Sequence, residues 1–285
     1  MANSSLVSIL IPNYNKAPYL QETLESVLSQ TYPHWECIIV DDHSTDNSWE
    51  ILQEYTEMDS RFKIYRRPDN LPKGGNVCRN YAFELSEGEY INWFDSDDVM
   101  KSDFIQTKIS SFRDRSVDAV ISRMYRFENG SEIETNWIPF FENVIEEYLV
   151  KDIHFHTAGP MFLRTFLIGK KLFNSKVKVG QEKEFYFRLL CQGMRFVVLD
   201  QYLMLYFDRD NSVLDTFRKK KVSFEHWRYR YCLIDSLVSY KVNISNFKSL
   251  VNLWSYKIFV LALREGKVKY SVRMLYVLIR NKIYV

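Results

Sequence analysis

Three short apolar runs, each ending in a polar cluster and set apart by helical stretches, constrain this chain more than any other feature. Leu6-Val-Ser-Ile-Leu-Ile11 is a β-branched run broken by Pro12-Asn-Tyr-Asn15. Glu36-Cys-Ile-Ile-Val40 ends in Asp41-Asp42-His43-Ser44-Thr45-Asp46. Tyr90-Ile-Asn-Trp-Phe94 ends in Asp95-Ser96-Asp97-Asp98. Apolar runs of this length, closed by turn residues, predict strands buried on both faces. Between them Leu20, Leu24, Val27 and Leu28, then Trp49, Ile51, Leu52 and Tyr55, recur at helical spacing, the second set with Ser44, Thr45 or Asp46 as its N-cap. A further strand over 62–65 and a helix over 77–85 precede the Tyr90 run. Strands alternating with helices imply βαβ crossovers, hence a Rossmann-like, mostly parallel α/β sheet flanked by helices. Ligands of such sheets sit beyond the carboxyl ends of the strands, and all three polar clusters would face that edge.

The cluster after Phe94 carries three carboxylates in four residues, and their mutual repulsion needs compensation. A hard divalent cation supplies it, because Mg²⁺ and Mn²⁺ take oxygen ligands from one or two carboxylates and from substrate phosphates. The competing reading is an acidic first turn of a helix after Asp98.

The alternation loosens beyond Asp98. Helices are expected over 104–112, 144–150 and 181–192, and strands over 118–124, 132–138, 196–199 and 203–207. His154-Phe-His156 lacks a third close ligand in the sequence, so it is not read as a zinc site. From residue 217 onward the pattern is helical and basic. Residues 216–285 hold fifteen Lys and Arg against three Asp and Glu, whereas the remainder of the chain has a net charge of −10. The composition, 46% hydrophobic with only 9 Gly and 7 Pro, leaves no room for a long linker. The four cysteines are widely spaced, as in reduced cytosolic proteins. No run of 18 apolar residues would span a membrane, and Met-Ala-Asn-Ser-Ser is not a secretory leader.

Taken together, Ser8-Ile-Leu-Ile-Pro-Asn-Tyr-Asn15, Val27-Leu-Ser-Gln-Thr31, Ile39-Val-Asp-Asp-His-Ser-Thr-Asp46, Arg79-Asn80 and Gly88-Glu-Tyr-Ile91 through Asp98 resemble the family 2 glycosyltransferases. The resemblance is dense over 6–100, looser over 157–212 and absent from the tail. It implies the GT-A fold, a nucleotide-sugar donor (UDP in the first instance), Mn²⁺ or Mg²⁺, and inversion at the anomeric carbon. By position, Pro12, Tyr14 and Asp42 would surround the base, Asp42 accepting from a uracil N3–H, with Asn15 beside them. Arg79, Asp95 and Ser96 would serve the nucleotide, and Asp97 and Asp98 the metal. The family's general base is an Asp followed by Phe and Arg at three-residue steps. Here Glu182 takes that place, with Gln181 before it and Phe185 and Arg188 after it; Glu184 is the rival base. The family's Tyr-Arg pair ahead of a Ser is replaced by Tyr206-Phe-Asp-Arg209-Asp-Asn-Ser212.

The expected organisation is a catalytic domain over 1–212, with a nucleotide-sugar half (1–100) and an acceptor half (101–212), followed by a basic helical extension over 213–285. The acceptor would be a hydroxyl of a glycan or lipid-linked acceptor in cell-surface polysaccharide synthesis. The location would be cytoplasmic, with peripheral association of the basic tail with an anionic membrane. A nucleotidyltransferase would need a Gly-rich phosphate loop after the first strand and an oxidoreductase G-x-G-x-x-G; Pro12-Asn-Tyr-Asn15 is neither. A nucleic-acid partner is not expected, since the acidic body would repel a polyanion.

Overall fold

The computed structural model describes residues 5–112, 116–128, 130–135, 143–150, 155–207 and 224–283. Two compact units emerge. One comprises 1–140, 155–175 and 195–208; the other comprises 141–154, 176–194 and 209–285.

The first unit is a nine-stranded sheet. Strands β1 (Val7–Asn13), β2 (Trp35–Asp41), β3 (Phe62–Arg66) and β4 (Tyr90–Trp93) run parallel in the order β3-β2-β1-β4. Helices α1 (Ala17–Leu28), α2 (Ser48–Met58) and α3 (Gly75–Leu85) connect them. Val7, Ile9, Leu10 and Ile11 of β1 and Ile38, Ile39 and Val40 of β2 are fully enclosed, which is why these runs carry no hydrophobic/polar alternation. Leu20, Leu24 and Val27 are the buried stripe of α1.

Beyond β4 the sheet becomes mixed. β5 (Val99–Met100) follows directly, then α4 (Phe104–Ser111), β6 (Ala119–Glu128), β7 (Ser131–Glu134), β8 (Pro160–Leu163), α6 (Arg164–Leu167) and β9 (Phe196–Phe207). β8 runs antiparallel to both β4 and β6, while β6 and β9 run parallel with register shifts past Ser122. β9 is one strand where two were expected. Its exposed Asp200 and Gln201 break the hydrophobic run without breaking the backbone.

The second unit contains α5 (Val144–Val150), α7 (Gln181–Cys191), α8 (Phe224–Ser239), α9 (Lys248–Arg264) and α10 (Val268–Ile283). The expected boundary at 212 follows the order of the chain, whereas here α5 and α7 group with the C-terminal helices. Among the described residues no helix is long and apolar enough to cross a membrane. The four cysteines are free thiols. His154, Arg209 and Ser212 lie outside the described residues.

Candidate active site at the sheet edge

The carboxyl ends of β1 and β2 are fastened to each other by their own polar clusters. Asn13 pairs with Asp41 in register, and its Nδ2 donates to Asp41 Oδ1 at 2.9 Å. Asp41 also accepts from the Ser44 backbone N–H (2.9 Å) and hydroxyl. Asn15, in the left-handed region at φ 51°, accepts from the Thr45 N–H at 2.7 Å. Asp46 accepts from the Ala17 and Ser48 N–H groups, so it fastens the starts of α1 and α2 together, while Asn47 stands at the N-cap position of α2. Asn15, expected at the nucleotide, therefore holds one loop to the other.

Asp42 is 3% exposed and binds Arg67 through Oδ1 and the Gly74 N–H through Oδ2 at 2.9 Å. Arg67 donates onward to the carbonyls of Pro68 and Leu71. One carboxylate thus clamps the 67–74 loop, and its remaining lone pairs still allow it to accept from a ligand. Tyr14 lies exposed at the same edge with the Lys73 ammonium 3.8 Å from its ring centroid.

The acidic triplet does not begin a helix. Asp98 is followed by β5, and α4 starts only at Phe104. The triplet is instead held by α1: the Thr23 hydroxyl donates to the Asp98 carbonyl (2.8 Å), Ser26 Oγ accepts from Met100 N–H (3.1 Å), and Gln30 bridges the Lys101 carbonyl and the Ile105 N–H. This is the structural reason for the polar residues on the buried side of α1.

The three carboxylates have different partners. Asp95 accepts from Arg79 Nη2 at 2.6 Å. Burial pushes the Asp95 carboxyl up, but the charges of Arg79 and His156 and hydrogen bonds from Arg79 and Thr157 outweigh burial and hold it below the usual carboxylate range. Asp97 pairs with the Lys16 ammonium. Asp98 is 1% exposed; it accepts from the Phe207 N–H at 3.3 Å, and its Oδ2 lies 4.0 Å from His156 Nδ1. Asp95, Asp98 and His156 each offer a ligand atom within 4.8 Å of the others. Asp97, expected at the metal with Asp98, is not in that group, and His156, set aside in the sequence, is. No spacing rule could have found His156, because it reaches Asp98 only through the fold.

His156 is itself supported from below. The turn that follows it closes with Gly159 N–H on the His156 carbonyl, and the Ala158 and Gly159 carbonyls accept from Lys108 Nζ at 3.0 and 2.7 Å. Lys108 is fully buried and also donates to Asn92 Oδ1 at 3.1 Å. Its three N–H groups meet three oxygens. That is the geometry of an ammonium, although burial pushes its pKa well down.

In the second unit, Glu182 lies partly exposed in the first turn of α7. Glu184 is 3% exposed and is bound by Arg188, Nε to Oε1 at 2.7 Å. The rival base is thereby committed to an internal ion pair, and Arg188 of the expected motif is its partner.

The family model described as "Glycosyl transferase family 2" matches residues 8–173, more than half the chain. The chain belongs to that family. It is 31% identical over 226 residues to "Glycosyltransferase GlyG" of Streptococcus pneumoniae, covering 75% of this chain and 74% of that protein. It is 42% identical over 111 residues to "Putative teichuronic acid biosynthesis glycosyltransferase TuaG" of Bacillus subtilis, covering 39% and 43%. Among solved structures, S. aureus TarS 1–349 in complex with UDP-GlcNAc superposes with a TM-score of 0.70 at 18% identity, covering 97% of this chain and 79% of that one. The family 2 enzyme described here is thus a glycosyltransferase with the GT-A fold.

Proposed function

We propose that this glycosyltransferase moves a sugar, with inversion, from a UDP-sugar to a hydroxyl of a glycan or lipid-linked acceptor in cell-surface polysaccharide synthesis, on the cytoplasmic side. The observation that carries the reading is the sheet edge where Asp42, Arg79, Asp95, Asp97 and Asp98 converge with Lys16 and His156. TarS structures that hold UDP and UDP-GlcNAc, and a mannosyltransferase from Pyrobaculum calidifontis that holds GDP-Man and Mn²⁺, support a nucleotide-sugar donor. The teichuronic acid and teichoic acid names of two relatives support a cell-surface product.

In this reading Asp42 and Tyr14, next to Pro12, receive the base, and Arg79 holds Asp95 toward the ribose and diphosphate, with Ser96 beside it. Two carboxylates and one imidazole form a donor set that suits Mn²⁺ and accepts Mg²⁺, so Asp95, Asp98 and His156 fit a divalent ion. Asp97 lies next to them on Lys16. When bound, such an ion neutralises the charge that develops on the departing diphosphate. Glu182 takes the proton of the acceptor hydroxyl as its oxygen bonds to the anomeric carbon. The electron pair of the broken bond leaves with the diphosphate. The Glu184 carboxylate is hydrogen-bonded to Arg188, which favours Glu182 over it as the base.

A screen of nucleotide sugars for donor hydrolysis with Mn²⁺ and with Mg²⁺, followed by transfer assays of Glu182→Gln, tests the reading. UDP-sugars should be turned over, and kcat of Glu182→Gln should fall by roughly 10²–10⁴-fold with donor KM held. Full turnover in Glu182→Gln, or a large kcat loss in Glu184→Gln with the fold retained, would overturn the assignment of the base. Preference for another nucleotide would overturn the donor.

A further inference from the structure

Helices α9 and α10 carry the apolar periodicity expected from the sequence, but not all of it is turned inward. On α10 the packed stripe is Ser271, Met274 and Val277. Val268, Val272, Leu275, Tyr276 and Ile279, at helical spacing, stand 42–64% exposed. On α9, Leu253, Tyr256 and Leu263 are likewise exposed. Leaving so many large apolar side chains in water along one stripe is unfavourable unless something covers them.

Charge identifies the cover. From Lys248 to Ile283 there are eight Lys and Arg and one acid, Glu265, which is bound by Lys267. Among the described residues no carboxylate lies within 4.0 Å of Lys257, Arg264, Lys269 or Arg280. A second copy of the chain on this face would bring ammonium and guanidinium groups together. An occupant with an apolar interior and an anionic rim satisfies both the stripe and its flanks.

A pocket of about 390 Å³ opens between the end of α8, the start of α9 and the end of α10. Its walls combine Leu237, Val251 and Val277 with the cations Lys241, Lys248 and Arg280, and no acid lines it. Cations over an apolar floor match a phosphate joined to hydrocarbon. Arg280 belongs to both features: it lines the pocket and follows Ile279 of the exposed stripe.

We propose that α9 and α10 dock on an anionic lipid bilayer, the apolar stripe of α10 entering the interface and the pocket at Lys241, Lys248 and Arg280 receiving a lipid phosphate. Apolar burial and attraction of each Lys or Arg to the anionic surface act together in such binding. The surface requires nothing of the transferase reading, and its test is independent of turnover.

The full chain is sedimented with sucrose-loaded vesicles of phosphatidylcholine, with and without phosphatidylglycerol. It should pellet with the anionic vesicles and remain in solution with the neutral ones, and the bound fraction should fall as salt shortens the screening length. Val272→Glu/Ile279→Glu and, separately, Lys241→Glu/Arg280→Glu should each weaken partition by roughly tenfold or more. All four positions are solvent-facing, so the thermal midpoint and the circular dichroism spectrum should be unchanged. Equal sedimentation with both vesicle types, or variants that bind as tightly as the parent, would overturn the proposal. So would a dimer in analytical ultracentrifugation abolished by Val272→Glu/Ile279→Glu, or protection by inorganic phosphate without vesicle binding.

Discussion

Replacing Lys108 with Met keeps the stem and packing of the side chain and removes only the ammonium. The ammonium meets Asn92 Oδ1 and the carbonyls of Ala158 and Gly159. Two of these acceptors retain another donor, Asn92 Nδ2 on Ala158 at 3.2 Å and the Ser122 N–H on Gly159 at 3.2 Å. Asn92 Oδ1, fully buried, keeps none among the described residues. The expected loss is therefore that of one buried, unsatisfied acceptor, about 1–3 kcal/mol. In calorimetry this lowers the midpoint by about 2–4 °C per kcal/mol for a chain of this size. The pH dependence has a definite sign. Burial depresses the folded pKa of Lys108 below 10.5, so the cost of burying its charge is absent above that value and is complete once pH has fallen below the folded one. The stability gap between parent and variant should widen as pH rises toward 10.5. A Lys108→Met protein as stable as the parent at neutral pH, or a gap that narrows with rising pH, would refute the reasoning.

Gly88→Ala should destabilise strongly, since its Cβ would fall against Ser8 Oγ and 2.6 Å from the Ser8 backbone nitrogen; a melting curve like the parent's would contradict this. Glu36 is held below the usual carboxylate range: burial pushes it up, but hydrogen bonds from the Glu87 N–H, Lys63 and Ser8 prevail. Its stabilisation is present above the unfolded-chain value of 4.5 and is lost as pH falls through the folded value, so acid unfolding of Glu36→Gln should begin from a lower plateau and be less steep. Isothermal titration of UDP with Mn²⁺ should show weaker binding by Asp98→Asn and His156→Ala, by about 10-fold or more. Asp97→Asn should leave the thermal midpoint within about 2 °C of the parent, because its ion pair with Lys16 is partly exposed.

The parallel half of the sheet was legible because β1, β2 and β4 are short, fully buried apolar runs closed by polar clusters, and because α1 and α2 carry apolar residues at helical spacing. The motif glycine and glutamine were visible as letters, while their causes needed coordinates. Gly88 lets its N–H reach Ser8 Oγ at 2.8 Å, and Gln30 spans from α1 to the segment after Asp98. His156 and Lys108 were not legible. A lysine on a short helix reads as solvated, and the His154-Phe-His156 pair lacks a third ligand in the sequence, until the antiparallel pairing of β8 with β4 and β6 brings the 155–159 turn to Asp98. The exposure of Val272 and Ile279 was also hidden, because spacing identifies an apolar face and not what lies against it.

Gly180, the N-cap of α7, is left-handed at φ 66°, and its missing Cβ leaves room for the ring of Tyr229 on α8, 3.0 Å from where that atom would be. The helix that carries Glu182 therefore rests on the chain's last third, and α7 and α8 pack along each other. Grafting a relative's C-terminal segment onto this chain would exchange the seat of the proposed base along with the graft.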